Sequence, residues 1–97
     1  MTPEQRAALL EISSKSLERI QAETARKWAH RAWAARELAV TARDNNESAE
    51  AQRLSHDAVE YEHEAIEHAA LTGSDEVLRE TRAIIAAGAL TTMLSGL

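Results

Sequence analysis

The chain has no cysteine and no phenylalanine, and it holds only one proline and three glycines among its 97 residues. Without cysteine there can be no disulfide, no thiolate metal site and no cysteine nucleophile. The glycines, Gly73, Gly88 and Gly96, are too scattered to form a phosphate-cradling loop. Aromatic residues are limited to Trp28, Trp33 and Tyr61. With so few aromatic and β-branched residues, sheet is not expected. The closing stretch from Ala83 to Leu97 lacks charge of either sign. It is too short to cross a bilayer, which needs about 20 apolar residues, so its expected cover is other helices.

Alanine, leucine, arginine, glutamate and glutamine dominate instead, and these are the strongest helix formers. The expectation is an all-α protein with one domain over 1–97: an antiparallel helical hairpin plus a third helix, completing a bundle by homodimerisation. Thr2 can cap the first helix, Pro3 fits its first turn, and Gln5 closes a capping box with Thr2. Asp44, Asn45 and Asn46 form the clearest turn, Thr72 and Gly73 end the second helix, and Ser74 caps the third. The expected helices cover about 3–43, 47–72 and 75–95. Ser13, Ser14 and Ser16 are the weak point of the first, because hydroxyls compete for backbone hydrogen bonds. A break there would let the N-terminal piece fold back into a four-helix monomer.

Helical spacing assigns the faces. Leu10, Leu17, Trp28, Ala32, Ala35, Ala39 and Ala42 recur along the first helix, broadened by Leu9, Ile12, Ile20 and Trp33. Leu54, Ala58, Tyr61, Ala65 and Ala69 form the seam of the second. The third is apolar almost all round, with Ala83, Ala87, Gly88, Thr91 and Thr92 permitting close approach. A first helix of about 60 Å outruns partners of about 30 to 40 Å, which leaves its N-terminal aliphatics without cover. The expected interface is therefore Leu9, Leu10, Ile12, Trp33, Leu90, Met93, Leu94 and Leu97.

Charge separates the hairpin. From Lys15 to Arg43 the first helix is mainly basic, and the second, with Glu47, Glu50, Asp57, Glu60, Glu62, Glu64 and Glu67 against Arg53, is acidic. Exposed pairs are worth about 0.2–1 kcal/mol each, so this asymmetry selects the antiparallel partner more than it stabilises it. The net charge of -5 argues against direct nucleic-acid binding. It also makes Glu60, Glu64 and Glu67 a candidate acidic face for a protein partner.

Site chemistry is concentrated in the second helix, where three of the four histidines lie. Glu60 and His63 form Glu-x-x-His, the metal-binding spacing of ferritin-like di-iron bundles. A dimerising hairpin would resemble the encapsulated-ferritin arrangement through those four residues, which implies a metal site and a metal-dependent oxidase. Against this, His56, Glu60, His63 and Glu67 fall about 140 to 200° from the helix seam. That places them among solvated i,i+4 pairs. Asp57, Tyr61, Glu64 and His68 border the core as a candidate polar rim. Ser55, His56 and Asp57 are neighbours about 100° apart on a helix and cannot form a catalytic relay.

The expected function is a small non-enzymatic interaction module, an adaptor, assembly or inhibitor protein that self-associates, with no cofactor, no membrane segment and no catalytic residue. The alternatives are the ferritin-like metal protein and an acidic inhibitor of phage type docking on a basic nucleic-acid-binding protein. The N-terminus lacks a basic stretch followed by an apolar core, so the expected location is cytoplasmic. Arginine and alanine richness suggests a GC-rich bacterial or phage genome.

Overall fold

The structure is a computed structural model, and it describes residues 1–95. Three helices account for nearly all of them: α1 (Pro3–Asp44), α2 (Ser48–Leu71) and α3 (Asp75–Ser95). There is no strand among the described residues. The fold is all-α, as composition predicts.

The helix ends follow from local chemistry. The Thr2 hydroxyl accepts from the Gln5 N–H at 3.2 Å, and the Gln5 side chain accepts from the Thr2 N–H at 3.0 Å, a complete capping box ahead of Pro3. Asn46 takes a left-handed backbone (φ 62°) between α1 and α2. Asparagine tolerates that region better than most residues. Gly73 (φ 68°) plays the same part between α2 and α3, and the Ser74 hydroxyl then accepts from the Val77 N–H at 3.3 Å. The serines at 13, 14 and 16 do not break α1, which runs unbroken for 42 residues. The folded-back, four-helix alternative is thereby excluded.

α1 is the spine. α2 runs antiparallel to it, α3 runs back alongside it, and α2 and α3 touch each other little. The chain is a rod with extents of 66 × 20 × 13 Å. Its core consists almost wholly of methyl groups: Ala22, Ala25, Ala29, Ala32, Ala35, Ala39 and Ala42 from α1 meet Ala58, Ala65 and Ala69 from α2 and Thr81 and Gly88 from α3. Small side chains let three helices lie close together. The hydroxyl of Thr81, the largest side chain that is fully buried, is satisfied by the Val77 carbonyl at 2.8 Å.

Two expectations about faces need correction. Leu10 and Leu17 do not continue the core stripe of α1; they are 63% and 58% exposed, because α2 and α3 both stop short of them. Nor is α3 covered on all sides. Thr81 and Gly88 are buried and Ile84 and Ile85 half-buried, but Leu90, Met93 and Leu94 face outward, since α3 has only one close neighbour. Leu97 lies outside the described residues.

Candidate functional site

The rod has two parts. From Ala22 onward α1 is clasped by α2 and α3, whereas before it every residue is exposed except the half-buried Ser16 and Gln21. The alanine seam shows why the clasp ends there. Stepping back by sevens from Ala25 reaches Glu18, Glu11 and Glu4, and from Ala22 it reaches Lys15. Charged side chains at the positions of a close-packed seam would be stripped of water, which is costly. The first part of α1, residues 3–20, is therefore an arm standing clear of the three-helix body.

The arm is itself amphipathic, in a direction unrelated to the core. At about 100° per residue, Leu9, Leu10, Ile12, Leu17 and Ile20 share an arc of about 160° with Ser13 and Ser16, and with Gln5 and Arg6 nearer the N-terminus. Glu11, Lys15, Glu18 and Arg19 fill the remainder, with Glu11 and Lys15 paired at 3.2 Å. The apolar arc points about 160° away from the continuation of the alanine seam. Its five aliphatic side chains are between 49% and 63% exposed. Leu9, Leu10 and Ile12 of the expected interface lie on this arc, and Leu17 and Ile20 belong with them. The outward face of α3 brings Leu90, Met93 and Leu94 together at the other end of the rod, near Arg43, whose guanidinium donates to the Ser95 carbonyl at 2.9 Å.

Trp33 belongs to neither surface. It lies half-buried between α1 and α3, where its Cα and side chain approach Gly88 closely. Its indole Nε1 is buried without a hydrogen-bond partner. Trp28 packs its ring 5.4 Å from Tyr61 across the α1–α2 contact, with the Arg31 guanidinium 5.2 Å from the indole centre. Both tryptophans thus hold the body together.

The basic and acidic helices are joined by one ion pair among the described residues. The Arg36 guanidinium donates twice to the Glu62 carboxylate, at 2.7 Å from both Nε and Nη2. Those bonds raise the Arg36 pKa above its ordinary value despite partial burial. A second cross-helix pair, Arg26 with Glu80 at 3.0 Å, ties α1 to α3. Elsewhere the charges of α2 are satisfied within the helix. Arg53 donates to Glu50 and Asp57, and this contact holds the Glu50 carboxyl below the usual carboxylate range.

The proposed acidic and metal-binding residues are likewise divided among local partners. His56 pairs with Glu60 at 3.1 Å, His63 with Glu67 at 3.0 Å, and His68 lies 3.6 Å from Glu64. Glu60 and His63 each hold a different neighbour, and no group of three or more metal-ligating side chains occurs among the described residues. The expected rim is also divided: His68 Nδ1 meets the Gln21 side-chain oxygen at 2.6 Å, while Asp57 and Tyr61 bind other partners. No described helix is long and apolar enough to cross a membrane. No family model, no curated protein and no solved structure matches the chain.

Proposed function

We propose that the protein is a non-enzymatic helical interaction module that self-associates, with the arm of α1 as its working surface. One observation carries this reading. An arc of about 160° on residues 9–20 is uncharged and mostly aliphatic, yet nothing among the described residues covers it. Fully burying a leucine or isoleucine is worth roughly 1.5–3 kcal/mol, so a contiguous row of such side chains gains much from a partner. Contiguous exposed apolar patches of this kind mark association sites, whereas singly scattered hydrophobics do not. The body supplies a rigid handle, because its core is close-packed and its turns are fixed by local caps.

Sedimentation of the wild type beside Leu10→Asp/Leu17→Asp tests this reading. The wild type is expected to exceed the monomer mass of 10.7 kDa, and the variant to sediment as a monomer with unchanged helical content. A wild type that stays monomeric at every concentration would refute it.

A further inference from the structure

We infer that the occupant of the arm is the arm of a second copy, lying antiparallel across a two-fold axis near Lys15. This rests on the reading of the arm as an association surface and specifies what that surface binds. Five half-exposed aliphatics form a patch on the order of 500 Å². Paired with itself, the patch contributes at most about 1,000 Å² to one interface, the lower limit for a specific association. The arm is also self-complementary in shape: with the axis near Lys15, Leu10 meets the partner's Ile20, and Leu17 meets the partner's Ser13, large against small.

Charge decides the direction. Stepping forward by sevens, Ile20 leads to Lys27 and Leu17 leads through Thr24 to Arg31, so the arm's apolar face becomes basic where it joins the body. In a parallel, in-register pair Lys27 and Arg31 would each face their own copies, and like charges held together oppose association. In the antiparallel pair Lys27 comes level with the partner's Pro3, and Arg6, which shares the same face, with the partner's Thr24, so no like charges on that face stand directly opposite one another. A membrane is a poorer occupant. Interfacial helices carry a lysine- and arginine-rich polar face with aromatic anchors, whereas the polar side of this arm sets Glu4, Glu11 and Glu18 against Lys15 and Arg19 and has no aromatic residue.

Because the chain has no cysteine, introduced thiols report the pairing without background. Leu10→Cys, Ile20→Cys and the double variant are oxidised in solution, and the covalent species are resolved by mass. Disulfides need Cα atoms within about 7 Å, while in the antiparallel pair position 10 of each chain lies about 15 Å along the axis from its copy. The double variant is therefore expected to convert to covalent dimer, and each single variant about tenfold less. Efficient cross-linking of the single variants would show a parallel pair and overturn the inference while leaving self-association intact. Absence of cross-linking in all three, or a monomer that floats with anionic phospholipid vesicles, would also overturn it. Sedimentation of the wild type then shows whether self-association itself has failed.

Discussion

The Cα of Trp33 lies 3.3 Å from where a Cβ on Gly88 would stand, so the glycine lets α3 lie against α1 at this point more closely than a side chain would comfortably allow. A methyl group there meets backbone, which cannot swing aside as a flexible side chain would. Helix propensity alone favours alanine over glycine by about 1 kcal/mol, so Gly88→Ala sets a gain against a tight contact. Gly88→Leu has no such compensation. It is expected to destabilise the fold by about 1–3 kcal/mol through overpacking, read as a lower midpoint in chemical denaturation. An unchanged midpoint would show that α3 does not dock on Trp33.

Arg36 and Glu62 form the one two-pronged contact between α1 and α2, and both side chains are mostly buried, at 18% and 16% exposure. Removing either partner leaves the other charge poorly solvated. Glu62→Ala or Arg36→Ala is expected to cost on the order of 1–3 kcal/mol. Glu60→Ala, on the exposed side of the same helix, should cost far less. Equal effects in a denaturation series would mean that the α1–α2 register differs from the one described.

Acid should weaken the fold partly through Glu50. Its pKa is depressed in the folded chain by the Arg53 guanidinium, so its contribution is present above the unfolded value, near 4.5, and lost as pH falls through the lower, folded value. Both side chains are solvent-accessible, so the effect is small. Glu50→Gln is expected to start slightly lower at neutral pH and to flatten the fall in melting temperature below pH about 4.5, the two curves meeting in acid. A steeper acid limb in the variant would contradict this sign.

Helix number and helix ends were legible in the sequence because each boundary is written locally, in Thr2 with Gln5, in Asn45 with Asn46, and in Gly73 with Ser74. The core of α1 was only half legible. Leucine and tryptophan dominate any reading by hydrophobicity, yet the buried positions are alanines, and the heptad run of Ala25, Ala32 and Ala39 was the signal that could have located them. Such a seam works because close helices leave room for methyl groups and little else. Leu10 and Leu17 lie at intervals of seven like the seam, but on another side of the helix and beyond the reach of α2 and α3. The meeting of Trp33 with Gly88 could not be read in advance. It depends on how three helices slide past one another, and no local residue pattern encodes that. Helix lengths alone imply that Leu9, Leu10 and Ile12 outrun α2 and α3, and all three are exposed, whereas their opposition to the alanine seam depends on where that seam lies.

Small-angle X-ray scattering on the unmodified protein, at concentrations above and below its association, tests the arm-to-arm pairing as a shape. One chain is a rod 66 Å long. Two chains overlapping head to head about Lys15 would extend to roughly 90 Å, at 1.5 Å per helical residue, with a body at each end and a thin two-helix waist between them. A maximum dimension that rises toward this value as the mass doubles is the expected result. A doubled mass with the length still near 66 Å would place the contact along the bodies instead and contradict the proposal.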